Sequence, residues 1–176
     1  MEDPSIVTLT GSIMLLIIVS AYFSGSETAM MALNRYRLKH LSKEGHGGAR
    51  RAGKLLERPD RLLGVILIGN NLANFTASSL ATVLAINLLG EQGVAWAPVI
   101  CTIVFLVFAE VAPKTIAAVY PEKVALPSSY LLQVLLWIAY PFVWLVNSVA
   151  NALLNLFGVN HGNASEDHLS VDELRT

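Results

Sequence analysis

Glu110 follows an unbroken apolar run, Val99 to Ala109, and so falls where a membrane span is expected. Burying a carboxylate there costs about 2.5–3.5 kcal/mol on insertion scales, and more if it stays charged and unpaired. Two other apolar segments carry polar side chains of matching kind: Ser20, Ser24 and Ser26 with Glu27 in the first, Asn70, Asn71 and Asn74 in the second. Ser20 and Ser24 are four apart and share one helix face, as do Asn70 and Asn74. Three segments thus contribute hard oxygen ligands and no sulfur or imidazole. Such a donor set suits a hard cation: six oxygens at about 2.0–2.1 Å for Mg²⁺, or a looser cage for Ca²⁺.

Each residue also has a plainer role. Serine in a span commonly bonds back to the i−4 carbonyl or permits close helix packing. The three asparagines could tie helices together, and Glu110 could simply neutralise Lys114 at i,i+4. Glu27 reads as a helix cap, because Ser24-Gly25-Ser26-Glu27 has capping-box spacing. On that basis the first span is expected to break near Gly25, leaving the Ser20–Phe23 carbonyls free to face a cation. Pro113 has no N–H for the carbonyl of Ala109 and is expected to end or kink the third span.

The elements that carry these groups follow from composition. The chain of 176 residues is 54% hydrophobic and 14% charged, far from the balance of a soluble domain of this length. Apolar segments over about 6–33, 62–89 and 94–112 are each long enough to cross a hydrocarbon core of about 30 Å. Nine of the twelve Lys and Arg residues lie between Arg35 and Arg61, where helical stretches flank Gly45-His46-Gly47-Gly48. This basic segment reads as a short helical pair against the cytoplasmic membrane face, and the Gly90–Gly93 turn faces outward. The N-terminus is then outside.

Residues 124–157 are ambiguous by composition, with Trp137, Tyr140 and Trp144 interrupted by Pro127 and Pro141. They suit either a fourth span or a bent interfacial helix. Residues 159–176 read as a polar linker in which Ser170-Val171-Asp172-Glu173 would open a helix, as in a fragment of a longer protein. The acidic N-terminus lacks a signal-peptide pattern, Cys101 stands alone, and the four histidines lie outside the spans.

Phe23-Ser24-Gly25-Ser26-Glu27-Thr28, Ile68-Gly69-Asn70-Asn71-Leu72-Ala73-Asn74 and Phe108-Ala109-Glu110-Val111-Ala112-Pro113-Lys114 resemble, in order and spacing, the transmembrane domain of the CNNM/CorC (CorB) magnesium transporters. The resemblance implies an all-α membrane protein in the cell membrane, residues 1–158, with three transmembrane helices, a cytoplasmic-facing helical pair and an interfacial juxtamembrane helix. It implies a homodimer in the lipid bilayer that exports Mg²⁺, held by Ser20, Ser24, Asn70, Glu110 and Asn74. It also places the C-terminus in the cytoplasm, leading to a CBS-pair module through which ATP would act and which lies outside this sequence. No nucleic-acid partner is implied.

Two other functions compete. An enzyme would take Ser24 as nucleophile and Glu110 as acid, yet no span supplies a histidine base, and Lys114 is already matched to Glu110. A membrane anchor that senses Mg²⁺ for the cytoplasmic module would use the same ligands as a transporter.

Overall fold

The computed structural model describes residues 5–156, all helix and turn with no strand among them. The linker over 159–176, including the Ser170–Glu173 capping pattern, lies outside the described residues. By packing, the chain divides after Ala139, and the packing described below is that of the unit ending there.

Helix α1, Ile6–Ala32, is capped by Ser5, whose hydroxyl accepts the Thr8 N–H at 3.2 Å. It runs without interruption through Gly25, so the expected break does not occur. An apolar setting gives freed carbonyls nothing to bond, whereas the continuous helix satisfies them internally. Glu27 is therefore mid-helix and caps nothing.

Helices α2, Arg35–Lys43, and α3, Gly47–Leu55, form the anticipated pair. Asn34 Oδ1 accepts the Tyr36 and Arg37 N–H groups at 3.0 and 3.2 Å, and His46 Nδ1 accepts that of Ala49 at 3.3 Å. Gly45, at φ +88°, makes the turn between them in a backbone region that side chains rarely adopt.

Helix α4, Pro59–Leu89, starts with proline at its first position and Asp60 in its first turn, both favourable at a helix N-terminus. A 3₁₀ turn, Gly90–Gln92, leads into α5, Gly93–Val104. The chain then widens into a π-helical turn, Phe105–Val111, and continues as α6, Ala112–Val119. Pro113 neither ends this helix nor forces a break. Its ring would press on the carbonyl four residues back, and the wider turn relieves that clash. The Ala112 N–H bonds the carbonyl of Val107, five residues back.

Helix α7, Pro121–Leu156, carries Pro127 and Pro141 inside it. Its first turns dock on the α2–α3 pair. Arg37 pairs with Glu122, Ser129 Oγ donates to the Gly48 carbonyl at 3.3 Å, and the Tyr22 hydroxyl donates to the Ser128 carbonyl at 3.1 Å.

The apolar core gathers where these elements meet. Met30 of α1, Leu33 just after it, Leu38 of α2, Ala52 of α3, Leu62 and Ile66 of α4, Ala117 of α6 and Leu132 of α7 form one buried cluster. Elsewhere the long helices expose large apolar side chains along their length, among them Met14, Ile18, Leu72, Phe75, Ile100 and Ile103. Surfaces of that extent belong in lipid. The two continuous helical runs Ile6–Ala32 and Pro59–Val119 are long and apolar enough to cross a membrane.

Ala73 and Ala77, small residues of α4, are covered within the single chain, at 3% and 0% exposure. Lipid supplies no force to hold bulky faces together, so small residues that let backbones approach serve helix packing first.

Two glycines differ in what they permit. A methyl group on Gly93 would land on the backbone of Ala85 and Ile86, whereas one on Gly53 would meet open space. Gly93→Ala should therefore destabilise the α4–α5 hairpin by about 1–3 kcal/mol. Gly53→Ala, inside α3, should stabilise by about 0.4–1 kcal/mol through the unfolded state. Thermal unfolding in detergent, with Tm moving in opposite directions, is the check.

Candidate cation site

Helices α1 and α4 and the π turn bring Ser20, Ser24, Asn70 and Glu110 into one hydrogen-bonded chain. Ser20 Oγ donates to Asn70 Oδ1 at 2.7 Å, and Asn70 Nδ2 donates to Glu110 Oε1 at 3.2 Å. Ser24 Oγ donates to Glu110 Oε2 at 3.4 Å, a longer contact. Lys114 Nζ lies 3.0 Å from Glu110 Oε2 and 3.8 Å from Glu27 Oε2. The carboxylate thus has a donor on each oxygen and one ammonium beside it.

Hydroxyl behaviour separates these serines from five other alcohols in the long helices. Thr10, Ser79, Thr82, Thr102 and Thr115 all bond the carbonyl four residues back, at 2.7–3.0 Å. Ser20 and Ser24 instead reach across to other helices, although the same local bond was open to them. The local role expected of a serine in a span is taken elsewhere and declined here.

Close backbone approach makes the crossing possible. A Cβ on Gly25 would sit 3.5 Å from the Pro113 carbonyl oxygen, so α1 and α6 meet directly beside Ser24 and Glu110. On the α4 side, a Cβ on Gly69 would run into the Phe23 ring. The glycines next to Ser24 and Asn70 thus set the spacing that short side chains need.

Exposure grades along the chain of contacts. Ser20 and Ser24 are buried at 0% and 1%, the Glu110 side chain is 28% exposed, and that of Lys114 is 42% exposed. The network is closed at Ser20 and open at Lys114. Asn74, one turn from Asn70, has its Oδ1 buried without a hydrogen-bond partner and no bond to the other four residues. Asn71 is exposed and takes no part.

The contact between Lys114 and Glu27 escaped the sequence analysis, which gave Glu27 a capping role. The signal was present: Glu27 is three residues from Ser24 and Lys114 four from Glu110, so both lie one turn along from the site.

Chemically, the cluster is a single carboxylate surrounded by alcohol and amide oxygens. No group of three His, Cys, Asp or Glu side chains gathers among the described residues, so a thiolate or imidazole centre is not formed there. His40 and His46 lie on the α2–α3 pair, His40 beside Glu44 at 3.4 Å and His46 as a cap. The nearest group to the Ser24 hydroxyl is a carboxylate paired with lysine, not the oriented base that nucleophilic catalysis requires.

Helical throughout its described elements, with lipid-facing spans and a polar cluster buried between them, the chain is an integral membrane protein. The chain belongs to the family described as the Cyclin M transmembrane N-terminal domain, which it matches over residues 11–176. It is 54% identical over 158 residues to the UPF0053 inner membrane protein YfjD of Escherichia coli, covering 90% of this chain and 37% of that protein. A UPF0053 protein of Haemophilus influenzae is 46% identical over 176 residues, covering 100% of this chain and 42% of that protein. A polyamine export protein of Salmonella typhimurium is 34% identical over 168 residues, covering 82% of this chain and 35% of that protein. The chain thus spans about two fifths of the length of these curated relatives.

The two serines should differ from Asn70 in structural weight. Asn70→Ala strands the buried Ser20 hydroxyl and removes a donor from Glu110, and should cost about 1–3 kcal/mol. Ser24→Ala removes one long contact and should cost about 0.6 kcal/mol, the average for such bonds between membrane helices. Chemical or thermal unfolding of the two variants in the same detergent ranks them.

Proposed function

We propose that this chain is the membrane-spanning part of a cation exporter that carries Mg²⁺ outward through the Ser20, Ser24, Asn70 and Glu110 cluster. The observation that carries this is the carboxylate of Glu110, bridged to α1 and α4 by hydroxyl and amide groups within otherwise apolar helices. Those four side chains hold five oxygens. Asn74 Oδ1, buried without a partner, is the natural sixth for the octahedral set that Mg²⁺ takes. On ion entry Asn70 would turn its carbonyl inward and Glu110 would exchange its hydrogen bonds for the metal.

Three spans fit this function: α1, α4, and the run from α5 through α6. Helix α7 then lies at the interface as a juxtamembrane belt, with the chain's end in the cytoplasm. The basic character of α2 and α3 supports a cytoplasmic position for the pair, by the positive-inside rule. Arg35, Lys39, Arg50 and Lys54 line a groove of about 350 Å³ between them. A homodimer is part of the proposal. Its face would use exposed α4 and α5 side chains such as Ser79, since Ala73 and Ala77 are covered within one chain. Export against an inside-negative potential costs about 4.6 kcal/mol for a divalent ion per 100 mV, so a coupling gradient is required.

A second cargo is favoured by a specific observation. The counter-ion that Glu110 holds in this structure is an ammonium, 3.0 Å away, with a second carboxylate, Glu27, on its other side. A polyamine presents the same group, and relatives named polyamine export protein are 29–34% identical to this chain. Flux from proteoliposomes loaded with Mg²⁺ or spermidine, with Na⁺ and pH gradients imposed in turn, separates the two cargoes. No flux of either, with Mg²⁺ binding intact, would favour a membrane-anchored sensor.

Glu110→Gln should abolish Mg²⁺ binding while leaving the protein folded, because a dehydrated divalent ion in low dielectric needs a formal counter-charge that an amide lacks. Isothermal titration decides it, and near-wild-type affinity would make the Glu110–Lys114 pair merely structural. Single cysteines in a Cys101-free background should be labelled from outside at Gln92, and at neither Gly47 nor Ser165. Outside labelling at Ser165 but not Gly47 would mean that α7 makes a fourth crossing.

A further inference from the structure

Lys114 is the one cation in contact with the cluster among the described residues, and its position is unusual for a helix-stabilising pair. It sits at the more exposed end of the network, one turn beyond Glu110. Its ammonium is shared between two carboxylates on different helices, at 3.0 Å from Glu110 on the π turn and 3.8 Å from Glu27 on α1. Both carboxylate side chains are 28% exposed, so neither has a markedly drier seat to offer. The flexible four-carbon stem of lysine lets its ammonium move between the two oxygens without moving either helix.

We propose that Lys114 is a tethered counter-ion: it neutralises Glu110 when the site is empty, and moves onto Glu27 when a cargo cation takes Glu110. This rests on the proposal that Glu110 binds the cargo, and deepens it by naming the residue that sets affinity and release. Charge bookkeeping gives the reason for such a device. Glu110 and Glu27 without Lys114 carry two negative charges, enough to hold a dehydrated divalent ion at net zero. With Lys114 present the occupied site carries one excess positive charge, and the empty site one negative. The lysine therefore weakens binding and, by returning to Glu110, fills the seat that the cargo leaves. Glu110 is thereby spared a bare charge in low dielectric at both ends of the cycle. Glu27 is the parking position, which accounts for an acidic side chain inside α1 with no capping role.

The test is a double-mutant cycle on the full chain in lipid nanodiscs, read by Mg²⁺ titration and by flux in proteoliposomes. Lys114→Met should tighten Mg²⁺ at least tenfold and slow flux, because release loses its replacement charge. Lys114→Arg keeps the charge but replaces a mobile point charge by a rigid planar fork, so Mg²⁺ should bind more weakly than to Lys114→Met. Glu27→Gln leaves the lysine only Glu110 and should weaken Mg²⁺ about tenfold. That weakening should shrink when Lys114→Met is also present, since only the lost charge of Glu27 then counts and no lysine needs a parking seat. Tm measured on each variant separates binding from folding. A Lys114→Met protein with lowered Tm and unchanged or weaker affinity makes the lysine structural and overturns the inference. If Glu110→Gln loses Mg²⁺ while Lys114→Met binds as wild type does, the site stands and the tethered counter-ion falls. If neither wild type nor Lys114→Met binds Mg²⁺, the metal site and this inference fall together.

Discussion

A carboxylate between membrane helices has to be given donors and a counter-charge, or its burial costs more than the local packing can return. Much of the middle of this molecule meets that requirement for Glu110. Asn70 supplies an amide to one oxygen, Ser24 a hydroxyl to the other, and Lys114 the compensating charge. These are short side chains, so the helices that bear them must approach closely. Gly25 against Pro113 and Gly69 against Phe23 provide the approach. The π turn at Phe105–Val111 completes the arrangement, since it lets one helix carry both Glu110 and Pro113 without a break. Removing any one of these features leaves the others with an unpaired polar group in a dry place.

The molecule divides its work between two regions with different physics. At the end where α1, α4 and α6 meet the α2–α3 pair and the start of α7, leucines, alanines and a methionine form a conventional buried cluster. Along the spans the large side chains face outward and the small ones inward, as expected when lipid rather than water is the solvent. The polar site lies between these regions, adjoining the well-packed end through Phe23 and Pro113. One side of the site is thereby anchored to a rigid core, while the α4–α5 hairpin on the other side is held by small-residue contacts such as Gly93 against Ala85. Contacts of that kind break and re-form without exposing buried apolar area to water. Any change of access to the site would draw on the second region.

The sequence made the site residues legible because their chemistry is costly in their surroundings. Serine at i,i+4, asparagine at i,i+4 and a lone glutamate in apolar runs stand out without a structure. The spans, the basic helical pair and its Gly45 turn were legible for the same reason: apolar length and charge segregation are properties of the chain alone. The errors arose where local pattern was read without its solvent. Ser24-Gly25-Ser26-Glu27 has the spacing of a cap, but a helix end needs water or a partner for four carbonyls, and α1 in apolar surroundings has neither. Pro113 read as a stop because a proline cannot join an α-helical ladder. The π turn, which absorbs it, depends on tertiary contacts that no local pattern encodes. Which serines cross to another helix and which bond backward was also invisible, since Ser20 and Ser79 are chemically identical until a partner comes within 2.7 Å.

The cargo question turns on the same network. A donor set of alcohol, amide and carboxylate oxygens favours Mg²⁺ by hardness, while Glu110 in this structure is paired with the ammonium of Lys114. The two demands conflict at the level of charge density. A compact divalent ion gains most from oxygens drawn into a tight octahedron, and it must expel the lysine to obtain them. An amine gains by replacing the lysine one for one, with the hydrogen bonds of Asn70 and Ser24 undisturbed. The side chain that discriminates is therefore Asn70, which offers its amide to Glu110 in the amine-filled state and would have to present its carbonyl to a metal. Its carbonyl is now held by the fully buried Ser20 hydroxyl. Metal entry must break that bond, and can do so only by making Ser20 a ligand as well. Under the proposed function, selectivity for a metal over an amine would thus depend on Ser20 and Asn70 acting as one unit.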